Sequence, residues 1–247
     1  MDWTYFCDTT PLKKTLEELL DWDQVRDPKH MRVIVSASGV ETGETAYFSN
    51  FDPHITFGVE HMLASGSLPP GFSWTMINNR AYWDGGLTDN TPLKPVIEAL
   101  DLAQNEPATM PIFTIDVWTS SAPRPTNVRE ALSRMFEMLL QNNLKSDSET
   151  AKSYQRFTKI LQQVDKQLPP DAAVRKEADW DTVMKYADVR EIRMIEMNKP
   201  AEESAMDFSR ETILRRISAG YDAARRSLEA TPLLPPPKEA PVLVAST

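Results

Sequence analysis

Residues 63–93 read LASGSLPPGFSWTMINNRAYWDGGLTDNTPL, and half of the chain's eight glycines fall inside them, at Gly66, Gly71, Gly85 and Gly86. Glycine makes up about 3% of the chain, where about 7% is usual. After Gly86 only Gly220 remains. Special backbone demands are therefore concentrated in this stretch, and the last two-thirds of the chain reads as mostly helix. Ser73–Ile77 and Arg80–Trp83 predict a hairpin around Asn78-Asn79. Asp84 closes its second strand and is followed at once by Gly85-Gly86. A carboxylate there is fixed by the strand behind it, while two glycines allow a sharp turn and the close approach of another group. One reading is a presented general base. The other is a tight turn closed by an Asx hydrogen bond.

Upstream, Asp8-Thr9-Thr10-Pro11 predicts a helix start with Thr10 as N-cap and Pro11 at the first helical position. Leu12, Leu16, Leu19 and Leu20 continue it as one apolar face to about residue 22. Met31–Ala37 and Thr45–Phe48 read as strands joined by a hairpin-like turn over Glu41-Thr42-Gly43-Glu44. Residues 56–65 read as a short helix ending at Gly66. Downstream, the apolar run Met110–Trp118 (MPIFTIDVW) suits a strand buried on both faces of a partly parallel sheet. Residues 126–166 carry helical spacing, stopped by Pro169-Pro170. Val189–Met197 reads as a strand. Ser209 caps a last amphipathic helix carrying Ile213, Ile217, Tyr221, Ala224 and Leu228. The sum is an α/β or α+β chain with a helix-rich C-terminal half. Its parts are an α/β portion over 1–125, a helical region with a late strand over 126–230 packed on the same domain, and a Pro-rich tail over 231–247 expected to be disordered.

The chain has 247 residues, with 27 basic against 36 acidic side chains and a net charge of −9, which argues against nucleic acid as a partner. No apolar run is long enough for a transmembrane helix, and the chain as written opens without a signal peptide. That places it in the cytoplasm or at the periphery of a membrane. The single cysteine, Cys7, excludes an internal disulfide and a cysteine-built zinc site.

Other constellations are weaker. His30, His54 and His61 share no short metal-ligand spacing, and neither a dinucleotide fingerprint nor a P-loop occurs. A triad of Ser65 or Ser67 with His61 and Asp84 can be drawn, although a helix-end histidine beside loop serines is the simpler reading. Phe72, Trp74, Tyr82 and Trp83 fit hairpin packing better than an acyl pocket. Arg215, Arg216, Arg225 and Arg226 form a basic helix face, read as solvated, with an anionic-lipid contact left open.

Four separated stretches carry a further signal: DTTPLKKTLEELLDWD (8–23), ASGSLPPGF (64–72), YWDGGLTDNTPL (82–93) and DFSRETILRRISAGYDAARRSL (207–228). Together they resemble the second half of a patatin-like phospholipase domain, in one bacterial branch of that family, across roughly residues 3–230. The resemblance implies an incomplete patatin-like three-layer fold, with residues 1–125 as the C-terminal part of its α/β domain. It implies hydrolysis of phospholipid or other acyl-ester lipids by a serine–aspartate dyad. Asp84 would then be the catalytic base, Gly85 and Gly86 would shape its loop, and Asn90, Thr91 and Pro92 would begin the following element. No metal or organic cofactor is implied, and no catalytic histidine.

The family pattern also contains a glycine-rich oxyanion loop and a Gly-x-Ser-x-Gly elbow, which acyl transfer needs for its charge and its nucleophile. Neither occurs in this sequence. Gly71-Phe72-Ser73-Trp74-Thr75 comes nearest, with threonine in place of the second glycine, so Ser73 reads as structural. The expectation is the nucleophile-lacking portion of a lipid acyl hydrolase, inactive alone, with Met1 as an internal start, a gene-model error or a true split. Its partners would be an acyl-ester lipid and either a complementing N-terminal half or a second copy, with peripheral membrane contact left open. A non-catalytic interaction module on a decayed hydrolase fold is the alternative. Without covering strands, Met31–Ala37 or Met110–Trp118 should show an unpaired edge and an apolar face to water.

Overall fold

The computed structural model describes residues 4–99, 112–117, 123–189, 192–196 and 209–230. Its first half is built on an antiparallel sheet of four strands, β1 (Ile34–Gly39), β2 (Thr45–Ser49), β3 (Thr75–Ile77) and β4 (Arg80–Asp84), in the order β2-β1-β4-β3. The β1–β2 hairpin turns at Gly43 with φ +68°, a conformation that glycine adopts without a Cβ penalty. The β3–β4 hairpin turns at Asn78 and Asn79, with φ 50° and 62°. Two successive positive φ values twist a two-residue loop to match the strands, and asparagine tolerates them.

Four helices accompany this sheet: α1 (Thr10–Leu19), α2 (Trp22–Arg26), α3 (Val59–Ser65) and α4 (Leu93–Glu98). The core lies between α3 and the sheet, where Ala37, Phe48, Phe57, Ala64, Ile77 and Tyr82 pack together. Phe57 is fully buried, worth roughly 2–3 kcal/mol over an exposed side chain. Tyr82 meets Phe48 edge-on at 5.3 Å, so this hairpin aromatic serves packing, as expected.

A two-stranded parallel sheet pairs β5 (Ile112–Asp116) with β6 (Ile192–Glu196). Around it run α5 (Val128–Gln167), α6 (Trp180–Asp188) and α7 (Arg210–Ala230). Asn127 caps α5 through its side chain on the Glu130 N–H, and Leu168, just before Pro169-Pro170, ends it. The fold is thus mixed α/β with a helical second half. The tail expected to be disordered, 231–247, lies outside the described residues.

Several sequence expectations are corrected. Thr9 rather than Thr10 is the cap residue of α1, because the Asp8 carboxylate takes both the N–H and the hydroxyl of Thr10. The helix ends at Leu19, and Asp21 caps the separate short helix α2. The first strand begins at Ile34 rather than Met31. The Asn50 amide occupies the carbonyl of Met31 and the N–H of Val33, taking those groups from a β ladder. The parallel pairing expected of residues 110–118 occurs, but not burial on both faces, since Ile115 is 65% exposed. Among the described residues β5 pairs with β6 alone, whereas β1 is paired on both sides.

Candidate functional site

The register of the central strands decides where Asp84 sits. In the β1–β4 ladder Ala37 stands opposite Asp84, so the next residue, Gly85, falls against Ser36. A Cβ built on Gly85 would lie 2.2 Å from Ser36 Oγ and 2.4 Å from Ser36 O. Only glycine passes here. The chain then turns into a short 3₁₀ segment, Gly85–Leu87.

Three hydrogen bonds fix Asp84. Its N–H donates to Ser67 O at 3.0 Å, its carbonyl accepts from Ser38 Oγ at 2.8 Å, and its Oδ1 accepts from the Gly86 N–H at 2.8 Å. Burial pushes the Asp84 carboxyl above its ordinary value, and the Gly86 N–H offsets part of that. A half-buried carboxylate with an elevated proton affinity, at a strand end, is well placed to accept a proton. The Asx bond to Gly86 also satisfies the turn reading of the same residues, and the two coexist.

Around this turn lies a polar network absent from the sequence reading. Ser38 Oγ also bonds Thr88 Oγ1 at 2.9 Å, and Ser36 Oγ donates to Asp89 O at 3.1 Å. Asp89 accepts from the Tyr47 hydroxyl and from the Thr91 N–H, while its own N–H donates to Gly85 O. The available signal was two serines at period two, Ser36 and Ser38, in a strand otherwise apolar enough for the core. Asn90, Thr91 and Pro92 lead into α4, with Pro92 as its N-cap residue.

Two members of the drawn triad, Ser67 and His61, are engaged with other partners. Ser67 is buried, donates its hydroxyl to Leu63 O at 2.6 Å and shares a contact with Thr75 Oγ1. His61 Nδ1 accepts the Gly58 N–H at 3.0 Å, in the place a capping-box glutamate takes in other helices. Its ring stacks on Phe57 at 5.2 Å, and burial holds it below the ordinary histidine value, with Glu60 opposing. His61 is a packed core residue, 4% exposed. Among the described residues no three histidine, cysteine or acidic side chains converge as a metal ion requires, and no helix is long and apolar enough to cross a membrane.

Two family models match the chain, patatin-like phospholipase over residues 1–97 and patatin phospholipase over residues 141–240. No curated protein matches it significantly. The first match contains the whole Asp84 turn and its network; the second takes in most of α5, together with α6, β6 and α7. The models thus bracket both the sheet that carries Asp84 and the helical half beyond it, and the chain belongs to the patatin-like phospholipase family, a family of lipid acyl hydrolases.

Proposed function

We propose that this chain supplies the base-bearing portion of a lipid acyl hydrolase, with Asp84 as general base of a serine–aspartate dyad. The observation that carries the proposal is Asp84 itself, tied through N–H, carbonyl and carboxylate at the end of β4 and raised in proton affinity by burial. In the reaction, Asp84 takes the hydroxyl proton of the serine as it attacks the ester carbonyl, and gives that proton to the alcohol oxygen as the ester C–O bond breaks. The carboxylate so regenerated then takes a proton from the water that attacks the acyl-enzyme and returns it to the serine oxygen as the acyl bond breaks, releasing the fatty acid and restoring the serine. No Gly-x-Ser-x-Gly motif occurs in the sequence, so the proposal assigns the nucleophile and the oxyanion donors to polypeptide outside these 247 residues.

Peripheral contact with a lipid surface accompanies this reading. It is supported by α7, which turns Ala223 inward at 5% exposure and leaves Tyr221 at 67%. Arg225, exposed on the same helix, pairs with Glu229 at 2.6 Å. The absence of the nucleophile motif favours one alternative, a non-catalytic interaction module on the same fold.

The test is a purification from the native source through a tag on this chain, assayed on a p-nitrophenyl acyl ester. Asp84→Asn is expected to lower kcat roughly 100- to 10,000-fold with KM little changed. Hydrolysis unaffected by that substitution, or none in the wild-type complex, would leave the interaction module as the better account.

A further inference from the structure

The exposure of α5 runs against its composition. Phe157 is 65% exposed while its neighbour Thr158 is 5% exposed. Val128, Leu132 and Met135 near one end, with Ile160 and Val164 near the other, are exposed as well. At 100° per residue these six apolar side chains lie within about 40° of a single line along the helix. The adjoining flank is occupied. Tyr154 meets Tyr186 of α6 at 5.3 Å, and Asp165 pairs with Arg175 at 2.6 Å. A helix that buries threonine and presents phenylalanine, isoleucine and valine has its partner elsewhere.

The spacing of the stripe identifies that partner. The first cluster steps by four and then three residues, the second by three and then four. Val128 and Val164, Leu132 and Ile160, and Met135 and Phe157 are each equidistant from Ser146. An antiparallel pair of α5 helices with a two-fold axis at residue 146 therefore sets every apolar position of one copy level with an apolar position of the other. Such a contact uses the same surface twice, as a two-fold dimer requires. Six large side chains offering roughly 100 Å² each approach the ~800 Å² per partner of an ordinary stable interface. A lipid surface fits less well, because residues 141–153 (QNNLKSDSETAKS) put a polar segment between the clusters. We propose that the exposed stripe of α5 is the docking surface for a second copy of this chain, arranged antiparallel about residue 146.

Sedimentation velocity of the full chain at tens of micromolar, with cysteine crosslinking in a Cys7→Ser background, tests this. The wild type should be dimeric, and Phe157→Glu with Ile160→Glu should abolish the dimer peak while circular dichroism stays unchanged. Ser146→Cys alone should give a covalent dimer under oxidation. Leu132→Cys alone should not, because its two copies would stand ~40 Å apart along the pair, whereas Leu132→Cys with Ile160→Cys should. A monomeric wild type, or a dimer that survives both glutamates, overturns the proposal. So does loss of fold in the glutamate variant, which would mark these as core positions. Crosslinking by Leu132→Cys alone overturns the antiparallel register. A monomer bound to phosphatidylglycerol vesicles through Phe157 and Ile160 would make lipid the occupant.

Discussion

Gly85 lies so close against Ser36 that a Cβ would come within 2.5 Å of Ser36 Oγ, O and C. Two of those three atoms are backbone of the central strand, which cannot move aside without breaking its ladders to β2 and β4. The Asp-Gly-Gly turn is thus set by what passes beneath it as much as by its own torsions.

Gly85→Ala is accordingly expected to destabilise the fold by about 2–3 kcal/mol through overpacking. Gly43→Ala is the contrasting case, with nothing within 4 Å of the new Cβ but φ at +68°, and should cost about 1 kcal/mol of backbone strain. Urea midpoints at constant m separate the two.

Asp84→Asn should raise Tm at pH 7 while it removes the proposed base. The folded-state pKa of Asp84 lies above its ordinary 3.8, so the native chain holds this proton more tightly than the unfolded one. That contribution is complete below 3.8 and lost as pH rises through the elevated native value. At neutral pH the buried charge therefore opposes folding, and asparagine keeps an oxygen acceptor for the Gly86 N–H. The Tm gain should shrink towards zero in melts at acid pH; a Tm loss at pH 7 would contradict the sign.

His61 works in the opposite direction. Its folded pKa is depressed below 6.5 by burial, so its contribution is present above 6.5 and lost as pH falls through the lower native value. Protonation also removes the Nδ1 acceptor of the Gly58 N–H. Tm should fall as pH drops from 6.5, and His61→Gln should flatten that slope even if it lowers Tm overall. Melts across pH 5 to 7.5 check this.

Asn79→Gly should be neutral or slightly stabilising, and Asn79→Val should cost about 1–2 kcal/mol, because φ is 62° there and a β-branched residue resists it. Denaturant melts of both variants test whether this turn sets the hairpin register.

The chain by itself should take no fluorophosphonate label. Ser67 is buried with its hydroxyl given to Leu63 O, and Ser36 and Ser38 spend theirs on the Asp84 loop. Mass spectrometry after probe treatment would reveal an unrecognised nucleophile as a stoichiometric adduct on Ser65, Ser67 or Ser73 that disappears with Asp84→Asn.

Local chemistry by itself determined much of this protein. Asn78-Asn79 marked a two-residue turn, Gly43 the longer turn between β1 and β2, Gly66 a helix end, Pro169-Pro170 the stop of a long helix and Ser209 the start of the last, because each acts through torsions or hydrogen bonds within a few residues. Asp84 was readable as a candidate base for the same reason, its strand and its glycines being adjacent in the chain. What lay across space was decided only by the tertiary structure. The strand partner that excludes a side chain at Gly85, the Ser38 and Asp89 contacts around Asp84, and the Asn50 amide that delays β1 all join residues 17 to 53 positions apart. The facing of the helices was likewise beyond periodicity. An apolar stripe specifies that something covers it, but whether the cover is the chain's own core depends on where the neighbouring elements pack, and α5 turns Thr158 inward and Phe157 out.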